Sequence, residues 1–159
     1  MNAERLTTMS REVITSAVAN ATQRGHATVE PWHLLLALLD TGGSTATGLL
    51  RAVGANPADL RRAAIRAVEN LPAARGSSVA EPNISREFAN AIAAAEQIAR
   101  PLGDEYVSTE HLLAGLAQVG GEVAKLLIGA GATEPALVAA FPQIRGGNRR
   151  VTSPDPEQQ

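Results

Sequence analysis

The sequence predicts an all-α domain of eight helices, arranged as two four-helix halves about a pseudo-twofold axis. Three observations carry this. First, the chain repeats itself: Ser10-Arg11-Glu12 recurs as Ser85-Arg86-Glu87, and His33-Leu34-Leu35 recurs as His111-Leu112-Leu113. Gly25 and Val29 match Gly103 and Val107, Leu49-Leu50 matches Leu126-Leu127, and Gly54 matches Gly131, a period of roughly 77 residues. Second, apolar residues fall at helical spacing in both halves: Val13, Ala17 and Ala21 in the first, Phe88, Ala91, Ile92, Ala95 and Ala99 in the second. Third, no segment of useful length alternates in the two-residue pattern of a half-buried strand.

Helix boundaries are marked in order along the chain. Leu6 before Thr7 and Ile84 before Ser85 place an apolar residue ahead of a hydroxyl, as at capped helix starts with a hydrophobic staple. Pro31 suits the first position of a second helix that ends near Asp40; its counterpart starts after Ser108, with Glu110 in the first turn. Short glycine-containing turns lead to third helices. Gly54 and Gly131 sit where left-handed C-terminal residues are wanted, and Pro57 and Pro135 open the fourth helices. The first repeat covers about 5–71, a Pro-, Gly- and Ser-rich loop 72–83 connects it to a second repeat of about 84–145, and 146–159 reads as a linker with no periodicity to hold it on a core.

Composition narrows the function. A chain of 159 residues buries roughly 70% of its unfolded surface, so no metal or disulfide is required for stability. With a net charge of −2 and Lys125 as its lone lysine, the chain lacks the broad basic surface of a nucleic-acid binder, and aromatics at 3% are too few for a base-stacking platform. Absence of cysteine excludes thiolate chemistry and fits a reducing compartment. The longest apolar run, Leu34 to Leu39, is six residues and too short to span a bilayer. A cytoplasmic protein with no nucleic-acid or membrane partner is expected.

Catalytic motifs are missing. There is no Gly-x-x-x-x-Gly-Lys-Ser/Thr loop to cradle a phosphate, no Gly-x-Ser-x-Gly and no His-Glu-x-x-His. Glu30-Pro31-Trp32-His33 gives the Glu-x-x-His of helical di-iron proteins, but Ser108 replaces the glutamate in the second half, so His33 and His111 read as first-turn structural histidines. His26 aligns with Asp104 in a loop and is expected to be exposed. Arg61, Arg62 and Arg66 read as a solvated helix face. No catalytic residue, metal site or cofactor is expected in this chain.

The segments Glu30-Pro31-Trp32-His33-Leu34-Leu35-Leu36-Ala37-Leu38 and Tyr106-Val107-Ser108-Thr109-Glu110-His111-Leu112-Leu113 resemble the paired signature of Clp N-terminal domains over about residues 5 to 145. Leu6-Thr7, Leu71-Pro72, Gly103-Asp104-Glu105 and the trailing Val151-Thr152-Ser153-Pro154-Asp155-Pro156-Glu157 resemble the ClpB type of that family. The resemblance implies a substrate-binding domain of an ATP-driven disaggregase that engages unfolded or aggregated polypeptides through an apolar groove and helps deliver them to a hexamer pore. The implied alternative is docking of an adaptor or co-chaperone. It also implies an isolated domain that is monomeric, a hexameric AAA+ parent that takes ATP and Mg, and a tail leading toward an ATPase module that this sequence lacks. By resemblance Thr7, Asp104 and Glu110 are functional, while Ile92 and His111 border the groove, His111 being more polar than the leucine of some relatives. Thr7 also fits a helix cap, and Asp104 in a loop fits exposed recognition chemistry.

Overall fold

A computed structural model describes residues 3–73, 81–147 and 149–158. Within these lie eight α-helices: α1 (Thr8–Gln23), α2 (Pro31–Asp40), α3 (Ala46–Ala52), α4 (Pro57–Glu69), α5 (Arg86–Ala99), α6 (Thr109–Val119), α7 (Glu122–Gly129) and α8 (Glu134–Arg145). Part of the expected connecting loop, residues 74–80, and Asn148 of the expected linker lie outside the described residues.

Local chemistry sets the helix starts. The hydroxyls of Thr7 and Ser85 accept the Ser10 and Phe88 amide N–H groups at 3.1 Å each, which satisfies donors that the first turns of α1 and α5 leave unpaired. Pro31 and Pro57 open α2 and α4. Gly54 and Gly131 adopt φ of 85° and 88°, the left-handed conformation in which a residue with a Cβ is strained. The caps also correct the repeat register. Thr7 is equivalent to Ser85, Val13 to Ala91 and His33 to His111, all at one constant interval. The matching Ser-Arg-Glu triplets are identical in letters but sit three positions out of step.

The halves are joined by a reciprocal exchange of entry segments. The Thr7 N–H donates to the Val107 carbonyl at 3.0 Å, and the equivalent Ser85 N–H donates to the Val29 carbonyl at 3.1 Å. In each case the residues ahead of a half's first helix lie parallel to the residues ahead of the other half's second helix. One exchange is long enough to form two short strands, β1 (Thr28–Val29) and β2 (Asn83–Ile84); the other is a single bridge between Leu6 and Val107. Two-residue strands carry too little side-chain alternation to register in the sequence. The exchange is what the pseudo-twofold arrangement requires, and it buries Leu6, Val29 and Val107 in one continuous core with Leu34, Leu35, Phe88 and Leu112.

The closest helix crossing is α5 on α6, and Gly115 permits it. A Cβ at Gly115 would lie 2.4 Å from the Ala91 carbonyl oxygen and 3.0 Å from the Ala95 nitrogen, both backbone atoms of α5 that no rotamer change can move. Alanines at 91 and 95 complete the close approach.

His26 is buried, contrary to the expectation that it is exposed. Its Nδ1 lies 2.8 Å from His33 Nε2. The Glu30 N–H donates to His33 Nδ1 at 2.8 Å, so the proton of His33 is on Nε2 and is donated to His26. Burial first, and Arg24 second, lower the pKa of His26. Burial, then the neighbouring His26 ring, lower that of His33 from 6.5 to about 4.

Gly115→Ala improves intrinsic helix propensity, yet overpacking a rigid backbone contact costs about 1–3 kcal/mol, so the variant should melt several degrees lower. A melting temperature equal to or above that of the parent would contradict it. For His33, the folded pKa lies below the unfolded value of 6.5. Its contribution to stability is complete above pH 6.5, falls as acid protonates the unfolded chain in preference to the folded pair, and is exhausted near pH 4, with a bound of about 3 kcal/mol. An NMR titration should find the His33 ring neutral at about pH 5, with a lower denaturant midpoint there than at neutral pH. A His33 titration near 6.5 would overturn it.

Candidate functional site

The second half builds a different cluster at the position equivalent to the histidine pair. Ser108 caps α6, and its N–H donates to His111 Nδ1 at 2.9 Å, which puts the ring proton on Nε2. That proton points at Asp104 Oδ2, 2.8 Å away. Asp104 reaches this place because the chain leaves α5 through a tight turn with Gly103 at φ 77°, closed by the Asp104 N–H on the Ala99 carbonyl at 3.1 Å. From the last turn of α8, Arg145 lays its guanidinium 5.0 Å over the Phe141 ring and donates through Nη2 to Asp104 Oδ2 at 3.0 Å and through Nε to Glu110 Oε2 at 2.8 Å. Phe141 in turn presses edge-on against His111.

The tail completes the cluster. The Val151 N–H donates to Asp104 Oδ1 at 2.8 Å, and the Glu105 N–H donates to the Val151 carbonyl at 2.7 Å. The Thr8 N–H donates to the Pro154 carbonyl at 2.8 Å. Glu157 Oε2 accepts from the Thr7 hydroxyl and from the Thr109 N–H, each at 3.0 Å, so one carboxylate closes the N-terminal ends of both α1 and α6. Residues 149–158 are therefore bound to the body of the domain, although the sequence shows no periodicity there. Backbone groups, the Glu157 carboxylate and one buried apolar side chain, Val151, hold them.

Burial penalises the charge on Asp104, but the His111 hydrogen bond, the Val151 amide and Arg145 outweigh it and keep the carboxyl below its usual range. For Arg145 burial is likewise opposed, here by Glu110 and Asp104, and the balance strengthens its positive charge. Glu157 is pushed above the usual range, first by burial and further by the charge of Glu110, against the amide and hydroxyl donors that it accepts.

Asp104, His111 and the Ser108 hydroxyl, which lies 3.0 Å from His111 Nδ1, form a chain of residue types that elsewhere makes a nucleophile. Here Ser108 and His111 are fully enclosed, and His111 Nδ1 already accepts a backbone amide, so no acyl group can approach the oxygen and the ring is not free to act as its base. The arrangement is a helix cap. Among the described residues no three His, Cys, Asp or Glu side chains are placed to hold a metal ion. Of the arginines read as a solvated face, Arg61 pairs with Asp40 and Arg62 with Asp59 on the surface.

The sequence-predicted site residues separate into two places. Thr7, Asp104, Glu110 and His111 converge on the cluster, all of them buried, so Asp104 is not the exposed loop group expected. Ile92 lies elsewhere, on the floor of an apolar groove of about 290 Å³ along α5, with Phe88 beside it, Ile84, Ala89 and Ala93 as exposed walls and Glu96 at the rim. His111 does not line this groove. Sequence reasoning missed Arg145, Val151 and Glu157 as members of the cluster. The repeat register held one signal: Val151 stands to Ala73 as Asp104 stands to His26 and His111 to His33.

The family model for the Clp repeat (R) N-terminal domain matches residues 5–130. Among curated proteins, the chaperone protein ClpB of Propionibacterium freudenreichii is 46% identical over 157 residues, 99% of this chain, and ClpB of Mycobacterium tuberculosis strain H37Rv is 46% identical over 151 residues, 95% of this chain. The chain spans 18% of the length of each. Among solved structures, the Hsp104 N-terminal domain from Candida albicans superposes with a TM-score of 0.80 at 20% identity, covering 96% of this chain and 98% of that one. The ClpV N-domain in complex with a VipB peptide gives 0.69 at 17% identity, covering 89% and 87%. The two-repeat fold with its capped, paired helices is thus that of a known family, and the chain belongs to the Clp N-terminal domains, with similarity to ClpB along nearly all its length.

Proposed function

We propose that this chain is the substrate-binding domain of an ATP-dependent protein disaggregase and that the α5 groove receives apolar stretches of unfolded or aggregated polypeptide. The observation that carries the reading is the groove itself. Its floor is Phe88 and Ile92, its walls expose Ile84, Ala89 and Ala93, and Glu96 is the sole charged lining residue. An apolar surface with one charged residue at its edge, and no array of fixed donors and acceptors, favours weak capture of many sequences over tight recognition of one. The likeness to ClpB proteins and the peptide held by the ClpV N-domain support a polypeptide ligand. On this reading ATP and Mg act in a parent protein, avidity across a hexameric ring multiplies a weak single-domain affinity, and the isolated domain is a monomer. A cytoplasmic location belongs to the same reading; among the described residues no single helix is long and apolar enough to cross a membrane.

Ile84→Ser and Ala89→Asp alter only exposed walls of the groove, so they should weaken binding of a permanently unfolded model protein by about fivefold or more, roughly 1 kcal/mol, with little change in melting temperature. Titration monitored by fluorescence anisotropy checks this, with the native form of the same protein as control. Equal binding of native and unfolded forms would sink the proposal. If the variants bind as tightly as the parent while one folded adaptor binds stoichiometrically, the domain is an adaptor-docking module instead.

A further inference from the structure

The residues that the family resemblance singles out are buried, and the chain's own tail covers them. Thr7 is fully enclosed, and Asp104 and Glu110 are each 3% exposed. Thr7 donates to Glu157, Asp104 accepts from the Val151 amide, and Glu110 holds Arg145, whose Nη1 donates to the Arg149 carbonyl at 3.1 Å. A cavity of about 130 Å³ of mixed character lies against the tail, lined by Thr45, Glu110, Arg145 and Glu157 together with Ile144 and the tail's own Val151 and Pro156.

The course of the tail is a repeated feature of the fold. In the first half Ala73 bridges to His26, and at the equivalent repeat position Val151 bonds to Asp104 and Glu105. At this position the chain leaving the second half therefore takes the place that Ala73 takes on leaving the first. The first connector is fixed at its far end by the pairing of β2 with β1. Among the described residues the tail is fixed toward its far end by the Pro154 carbonyl on the Thr8 N–H and by the Glu157 carboxylate, which is seated against its own burial and the charge of Glu110, with Oε1 enclosed and lacking a hydrogen-bond partner among the described atoms. Among the tail residues whose burial is described, Val151 is the one that is buried.

We infer that Thr7, Asp104 and Glu110 are positioning residues that hold residues 149–158 as a releasable strap across the N-terminal ends of α1 and α6, and that they do not touch a polypeptide client. This goes beyond the groove reading and does not depend on it. While the strap is docked, the chain leaves the domain in a fixed direction. Once it is released, ten residues become a tether that extends up to about 35 Å, and the orientation of the domain relative to any attached chain is no longer fixed. Substitution of Thr7, Asp104 or Glu110 then alters function through the strap and leaves the groove's capture of polypeptide intact.

Amide hydrogen exchange on the 159-residue chain tests this, because the Thr8, Glu105 and Thr109 N–H groups are closed by strap atoms. Val151→Asp removes the apolar anchor and sets a second carboxylate beside Asp104 without touching the α1 cap. It should speed exchange at those three amides by about tenfold or more, while amides of α2 and α4 keep their protection. Thr7→Val should loosen the same amides and leave the affinity for an unfolded model protein within about twofold. Exchange of Thr8 and Glu105 at unprotected rates in the parent chain would overturn the strap. So would a Thr7→Val variant with about fivefold weaker client binding and unchanged strap protection, since that result makes Thr7 a contact residue. Should Thr7→Val fail to fold, the Val151→Asp exchange pattern decides alone. If the chain binds no unfolded protein at all, the groove reading fails and the strap is still judged on its amides.

Discussion

The second half of the domain is organised around one buried carboxylate. Removing a charged Asp from water costs several kcal/mol unless its oxygens are met by well-placed donors. Asp104 meets that demand with the His111 ring N–H, two Arg145 nitrogens and the Val151 amide. Each donor constrains a separate element. His111 is fixed because its other nitrogen takes the Ser108 amide and so starts α6, and Arg145 is fixed because its guanidinium also serves Glu110 and stacks on Phe141, which fixes the last turn of α8. The Val151 amide brings in the tail. A neutral residue at 104 would leave three of these groups without their common acceptor, which is why the cluster behaves as a unit and its members cannot be ranked by single deletions.

Comparison of the halves shows what that charge adds. The first half has the same backbone plan, with Glu30 and His33 in the roles of Ser108 and His111, but a neutral His26 stands where Asp104 does. A neutral ring that accepts a single hydrogen bond offers a guanidinium no counter-charge, and the nearby Arg24 acts on His26 by disfavouring its protonation rather than by pairing with it. The two halves therefore share a scaffold of two equivalent helix starts, and several differences at repeat positions, Asp104 for His26 and Glu110 for Trp32 with Arg145 added from α8, separate a neutral buried pair from an ion cluster able to bind a further segment. The two sites respond to acid by different chemistry. The first half refuses a proton, while in the second a carboxylate is kept ionised.

Most of the fold was legible because the features that encode it are local. Helix faces are written in Val13, Ala17 and Ala21 and in Phe88, Ala91 and Ala95; the starts and stops are written in Thr7, Ser85, Pro31 and Gly54, each acting within one turn of its own position. The register was less legible because identical letters mislead: Ser10-Arg11-Glu12 matches Ser85-Arg86-Glu87 by composition, whereas capping geometry pairs Thr7 with Ser85. The burial of His26 and Asp104 was hidden because both occupy loops that tertiary packing covers. The docking of the tail was hidden for a related reason. A segment held by backbone amides and carbonyls and by one carboxylate has no side-chain period, so absence of amphipathicity says nothing about whether it is docked.

The separation of groove from cluster has a physical basis in the α5–α6 crossing. Ile92 and Phe88 face the groove from α5, while Glu110 and His111 stand at the start of α6 on the side of α8 and the tail. Between them the helices meet backbone to backbone at Gly115, and because no rotamer change can alter that contact it fixes the separation of the two helices. The pair is a rigid unit, with the groove residues Phe88 and Ile92 on α5 and the cluster residues Glu110 and His111 on α6. On the proposed readings, displacing the tail breaks contacts at the start of α6 without altering the α5–α6 packing under the groove, so capture of polypeptide and the direction in which the chain leaves the domain can vary independently. A looser crossing, with a larger residue at 115 and repacked neighbours, would give up that independence, because side-chain adjustments beneath Ile92 would then be felt at the start of α6.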